Sequence, residues 1–525
     1  MGNFGIQLRS SNTIVHHSVH AFRNRLQRRK LDLHFLIIKD ARFIRLKKWN
    51  YLIRQVRISF SDKFCVVIAG ILFLQAARAQ EPISISLVDA IEKGIKSYPA
   101  LKAKQNYVDA AHALIRNTRN EYLPNVITSL QQSYGTVNTQ FGPQAAVGVL
   151  GVASSGPIAN QQNWNAAFGS SYIISTNWEV FTFGRLKSRV CLSDAQAQRD
   201  LADLDQERFL HQVRIAGSYL NLLIARQLVE SGRSNLKRSE TIQQTVRART
   251  LSGLNPGVDS SLANAEVSRS RLSLIEFSTN EQTIERQLAE LLGIHPDEKV
   301  SPEDTSFFSK LPEQLYMDTE VDENPQIKFY QSRIAFANAV TKMTGKSILP
   351  GITLFGIYQA RASGFNNTYN SESGNGYSGR YLDGINPSRY NYVAGVSLTW
   401  NLISPLKVRQ QVKAQQFLAA GAENEYEQLS RQLEHQLILS EQRIKNTVES
   451  AMEVPVQYKA AADAYLQKSV LYKNGLTTIV DLQQALDALN RAEIDKRVAY
   501  INVWQALLFK AAASGDFDLF IDQTY

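Results

Sequence analysis

The chain carries one pattern of landmark residues twice, so its fold must be built from two copies of one unit. Pro99 and Pro124 stand 25 residues apart, as do Pro325 and Pro350. Trp178 precedes Gly253 by 75 residues, and Trp400 precedes Gly475 by the same interval. A shift of 222 also carries Leu254, Val258, Asp259, Ala263, Arg269 and Gly293 onto Leu476, Val480, Asp481, Ala485, Arg491 and Gly515. Arrays of small units repeat every 20–50 residues or so. This longer period is a duplicated half-protein, with repeat one at about 83–295 and repeat two at about 318–515.

The net charge of +10 belongs to one end of the chain. Residues 1–63 hold 14 Lys and Arg against Asp32, Asp40 and Asp62, and beyond residue 79 the 43 basic and 45 acidic side chains nearly cancel. A nucleic-acid partner would have to rest on that extension alone, so none is expected. The extension leads into the apolar run 64–77, preceded by Lys63 and followed by Ala77-Arg78-Ala79-Gln80. This is a signal-peptide pattern with cleavage expected after Ala79. The run is shorter than the ~20 apolar residues of a spanning helix. The basic stretch before it reads as an early start or a long n-region. The mature chain is then 80–525, with the single Cys191 and no disulfide.

Each half reads helix, strand, loop, strand, very long helix, turn, long helix. Opening helices are expected at 86–120 and 323–347, closed by Leu123-Pro124 and Leu349-Pro350. Beyond each closing proline the hydrophobic period changes to two. From 168 to 180, Phe168, Tyr172, Ile174, Trp178 and Val180 alternate with Gly169, Ser171, Ser175 and Asn177. From 390 to 402, Tyr390, Tyr392, Val396, Leu398 and Trp400 alternate with Asn391, Ser397, Thr399 and Asn401. These are strands with one apolar face and one polar face. The strands are expected at 125–135, 165–181, 351–362 and 390–402, near the length that crosses a bilayer when tilted. The connections 136–163 and 363–389, rich in Gly, Ser and Asn, read as exposed loops.

The remainder is helical. Residues 183–250 and 405–473 contain almost no Gly or Pro, and a continuous helix of that length extends ~100 Å. Four-three spacing at Phe209, Val213, Ala216, Leu220 and Leu223 points to coiled-coil packing. Between the long helices of each half, Gly253 and Gly475 end one helix in a left-handed conformation. Asp259 and Asp481 are expected to start the next as N-caps.

Four strands cannot close a sheet in lipid, where each unpaired backbone group costs several kcal/mol. Two chains would supply eight strands and three would supply twelve; the size of the helical portion favours the wider assembly. Tyr172, Ile174, Trp178, Val396, Leu398 and Trp400 would then face lipid, and the polar alternates a water-filled lumen.

The duplicated order, the proline-bounded segments 98–124 and 324–350, and the Gly-Leu…Val-Asp turns resemble the TolC-type outer membrane efflux proteins over residues 83–515. The resemblance implies a mainly α fold with a membrane β-barrel: a long α-helical tunnel in the periplasm and a 12-stranded barrel in the outer membrane, formed by a homotrimer. It implies an equatorial region at 296–322 and after Gly515. It further implies an exit duct of a tripartite efflux or type I secretion system, docked to a periplasmic adaptor and an inner-membrane pump. Gly253, Leu254, Asp259, Gly475, Leu476 and Asp481 would form the periplasmic tip that meets the adaptor, and Tyr472 with Asp481 would gate the tunnel. The arginine and second aspartate of the family's closed entrance fall at Thr477 and Gln484, so the lock must be weaker or built differently. A threefold ring of Asp481 would favour cations.

The alternative is a periplasmic adaptor or coiled-coil scaffold, which would carry one helical hairpin rather than two joined through strand pairs. No enzyme motif, metal-ligand spacing or cofactor site is present: His211 and His435 lack partners at i+4, and HExxH, Walker, GxSxG and CxxC patterns are missing.

Overall fold

The computed structural model describes residues 83–138, 161–315, 321–370 and 375–524. The basic extension, the apolar run and the expected cleavage site lie outside these residues, as do 139–160 and 371–374 within the two loops.

Repeat one begins with β1 (Ile83–Ile85), α1 (Leu87–Ser97) and α2 (Pro99–Asn120), then β2 (Asn125–Thr136) and β3 (Ala166–Phe181), and ends with α3 (Arg185–Leu251) and α4 (Gly257–Leu291). A short strand β4 (Val300–Pro302) and a 3-10 turn at Ser306–Phe308 lead to repeat two. There α5 (Pro325–Lys346) precedes β5 (Gly351–Ser363), β6 (Phe365–Asn370), β7 (Asn375–Tyr377), α6 (Tyr381–Ile385) and β8 (Arg389–Thr399). The chain closes with α7 (Ser404–Lys473), α8 (Ile479–Ser514) and α9 (Asp518–Ile521).

The opening helix expected at 86–120 is two helices. Tyr98 precedes a proline, which disfavours helical geometry at that residue, and its ψ of 119° turns the chain before Pro99 starts α2. Asn324 does the same before Pro325, and its Oδ1 accepts from the Gln326 N–H at 2.9 Å. Each of these corners receives the end of its own repeat's last helix. Gly293 (φ 62°) sits against Ser97, whose hydroxyl donates to Leu292 O at 2.6 Å; Gly515 (φ 85°) sits against Asn324, whose amide donates to Ala513 O at 3.0 Å. A side chain at 515 would meet the Asn324 backbone at 2.3 Å, so only glycine fits.

The long helices pair as α3 with α4 and α7 with α8; α2 lies on α3, and α5 on both α3 and α7. At 67 and 70 residues, α3 and α7 run ~100 Å from the sheet to the turns. Heptad spacing describes α3 only in part. Phe209, Ala216, Leu220 and Leu223 are buried as expected, but so are Ile215, Tyr219 and Leu222. In that middle stretch α1, α4 and α8 surround α3, so no single seam exists. This is the main core, closed by the parallel pair β1–β4. Tyr219 pins it: its hydroxyl donates to Asp304 Oδ2 at 2.7 Å, and the same carboxylate oxygen accepts the Leu87 N–H at 2.9 Å. Burial, and then Asp304, push the Tyr219 phenol far up.

The four long strands form one antiparallel sheet in the order β2-β3-β5-β8. The connection 363–389, expected as an open loop, contains the β6–β7 hairpin and α6. Gly384 of α6 lies against Phe168, where a Cβ would come within 2.2 Å, and Tyr381 meets the Phe168 ring edge-on.

Candidate functional site: a two-faced open sheet and paired helix turns

The sheet sorts its charged side chains onto one face. The cross-strand register places Leu130, Tyr172, Ala360 and Tyr390 in one row, and Trp178, Leu354 and Val396 in another, on the same face. No Asp, Glu, Lys or Arg from the four strands stands on that face. The three charged strand residues, Glu179, Arg361 and Arg389, are all on the opposite face, and Glu179 is paired with Arg185. Ile174, Trp178, Val396, Leu398 and Trp400 are exposed on the uncharged face. Tyr172 is half-buried beneath α6, and its hydroxyl donates to Ile385 O at 2.9 Å. A contiguous apolar face of this kind is a surface for lipid or for another protein.

The duplication extends to single hydrogen bonds. Trp178 Nε1 donates to Tyr122 O at 2.8 Å, and Trp400 Nε1 to Ile348 O at 3.1 Å. Both acceptors lie two residues before the closing proline, so each indole ties the end of a strand to the corner at the opening helix. A tryptophan with one wet end and one apolar end suits a membrane–water boundary. Among the described residues, β2 and β8 each lack a partner on their outer side. Open apolar edges of 12 and 11 residues are templates for pairing with another chain.

At the far end, the two helix turns pack on each other around Ile242, Val246, Ala263, Tyr472, Ile479, Leu482 and Leu486. Gly253 and Gly475 adopt φ of 73° and 75°, as the left-handed helix end demands. The aspartates are not N-caps, as expected from sequence, but third residues of their helices. The caps are Pro256 and Thr478. Thr478 makes a capping box: its hydroxyl accepts the Asp481 N–H at 3.2 Å, while Asp481 Oδ2 accepts the Thr478 N–H at 3.2 Å. The Thr478 and Thr477 hydroxyls donate to that carboxylate at 2.8 and 2.9 Å and hold it below the usual carboxylate range. Pro256 has no side-chain hydrogen bond to offer, so Asp259 instead accepts from Asn255 Nδ2 at 2.7 Å.

Tyr472 is 3% exposed, sealed by the first repeat's turn. Asn255 Nδ2 donates to its hydroxyl at 3.1 Å, and the Arg249 guanidinium lies 5.7 Å from its ring centroid. Arg249 also donates to Lys473 O at 2.7 Å and to Asn255 Oδ1 at 2.9 Å. Burial, then the Asp259 charge, raise the Tyr472 phenol. Tyr472 and Asp481, expected together at a gate, thus face different partners and form no hydrogen bond to each other. Arg249 and Asn255 carry no distinctive sequence signal; a basic residue in a helix's last turn reads as ordinary dipole compensation. Leu254 and Leu476, 68% and 72% exposed, project from equivalent positions of the two turns, joined by exposed Val258 and Val480.

A duplicated strand-pair and helical-hairpin unit, with an open sheet uncharged on one face, is the fold of solved outer-membrane channels. Residues 90–294 match the family described as Outer membrane efflux protein. The solved outer-membrane channel OprN superposes with a TM-score of 0.65 at 19% identity, covering 82% of this chain and 90% of that one. VceC from Vibrio cholerae superposes with a TM-score of 0.64 at 15% identity, covering 82% and 96%. The toxin and drug export protein A of Aggregatibacter actinomycetemcomitans is 27% identical over 225 residues, 42% of this chain and 49% of that relative. The chain thus spans about half the length of the curated relative that it matches.

Proposed function

We propose that three copies of this chain form the exit duct of a tripartite efflux or type I secretion machine, accepting cargo from a periplasmic adaptor and an inner-membrane pump. The observation that carries this reading is the sheet: two unpaired edges, one face free of charge, the other polar. Three four-stranded sheets joined edge to edge make a 12-stranded barrel with no open edge, its uncharged face toward lipid and its polar face lining water. The α3–α4 and α7–α8 hairpins would continue the wall into the periplasm. Leu254, Val258, Leu476 and Val480 supply two equivalent apolar knobs per chain for the adaptor. The matching relative is named for toxin and drug export, which makes amphipathic drugs and exported polypeptides the cargo classes to test first. Asp481, partly exposed at the turn, would form a carboxylate ring about the threefold axis and favour cations.

The test is conductance. Purified mature protein added to planar bilayers should give discrete channels, and Asp481→Asn should lower their preference for potassium over chloride. A protein that fractionates with the soluble periplasm and forms no channels would contradict the proposal.

A further inference from the structure

Arg361 on β5 and Arg389 on β8 are direct cross-strand partners at the end of the sheet away from the long helices. Side chains so placed have Cβ atoms about 4.5–5.5 Å apart, and like charges there repel. Both residues are exposed, and neither forms an ion pair among the described residues; the Arg389 guanidinium donates to Ser388 O at 2.9 Å. The neighbour of Arg361 on its other side is Ser171 of β3, which is neutral. They are the unpaired charges of the sheet, and both stand on its polar face. Among the described residues this repulsive pair has no counter-charge, and its natural complement is a mobile anion.

We propose that Arg361 and Arg389 form an anion-attracting collar at the outer mouth of the channel, six guanidinium groups in a trimer. The collar rests on the pore reading above, because only a closed barrel gathers the polar faces around one axis. The positive charge of the guanidinium groups attracts phosphate and carboxylate oxygens, and rings of arginine or lysine select for anions. The ligand class is therefore a polyanion bearing phosphate or carboxylate groups, met at the exit. The collar is opposite in sign to the carboxylates at the periplasmic turns, so the two ends of the duct screen ions differently.

Single-channel recordings test this with inorganic tripolyphosphate as the probe. In wild-type channels, tripolyphosphate added to the compartment facing the outer mouth should block current at a concentration at least tenfold below that required by R361Q/R389Q. The double variant should also shift the reversal potential in a tenfold potassium chloride gradient toward stronger cation preference. R361K/R389K, which retains the charge, should keep both the block and the wild-type reversal potential, and it serves where the glutamine pair fails to insert. Conducting channels whose block and reversal potential are the same in wild type and R361Q/R389Q would overturn the collar while leaving the pore intact. Loss of block in the lysine variant would overturn a charge-based collar as well. No conductance from the wild type would overturn the pore reading itself.

Discussion

Arg249 joins the two helix turns through three contacts, to Lys473 O, to Asn255 and to the face of Tyr472. Hydrogen bonds from a charged donor contribute about 1.5–3 kcal/mol each when both partners are held. Arg249→Ala should therefore free the second turn locally without unfolding the core some tens of residues away. Amide exchange at 473–478 should accelerate at least tenfold, with the amides of α1 and β1 unaffected; unchanged exchange at 473–478 would remove Arg249 from this role. His211 is the other residue with a measurable signature. It is fully buried, stacked on Tyr98 with ring centroids 3.9 Å apart, and pressed against Gly94 and Ile215. Burial, followed by the Arg214 charge, lowers its pKa below 6.5, against the opposing pull of the Leu291 backbone and then of the Glu207 charge. A depressed folded pKa means that the unfolded chain takes up the proton first. Stability from this residue is complete above about pH 6.5 and declines as the pH falls below it. Thermal unfolding between pH 7.5 and 5 should show that decline, and His211→Phe should flatten it.

At the scale of elements, the sequence made the helices and strands legible because each carries its own period and its own punctuation. Prolines 99, 124, 325 and 350 marked the corners, and the alternation around Trp178 and Trp400 marked the strands. What stayed hidden depended on contacts between elements. The cap at Thr478 displaced the expected one at Asp481 because a hydroxyl in extended geometry reaches the third N–H, while the carboxylate reaches back to the cap. The β6–β7 hairpin and α6 were hidden in a stretch of Gly, Ser and Asn whose order comes from packing on Phe168. The Arg361–Arg389 pair required the register of β5 on β8, which no local pattern states. Gly475 shows the opposite case, a residue whose role the sequence declared. Its φ of 75° costs a branched side chain about 1–2 kcal/mol, and an added Cβ would lie 3.3 Å from Arg249 Nη2. Gly475→Val should distort the second turn and weaken adaptor capture in a pull-down while the assembled channel keeps its size. Full adaptor binding by this variant would show that the turn is not the docking surface.

For the whole molecule, the decisive feature is a sheet with two open edges among the described residues. Among the described residues, the long helices, the main core around Tyr219 and the paired helix turns are each satisfied within a single chain, whereas the outer edges of β2 and β8 are not. A soluble protein would hide such edges with charges, prolines or a covering segment; here the edge strands are long, and β8 exposes Tyr390, Tyr392, Val396 and Leu398. In the proposed channel, lipid would forbid the open state and sister chains would relieve it, so assembly and membrane insertion are expected to be one event. The most direct measurement is the native mass of the mature protein extracted from outer membranes in mild detergent. Three chains per particle is the predicted result, and a single chain, stable in water without detergent, would contradict it.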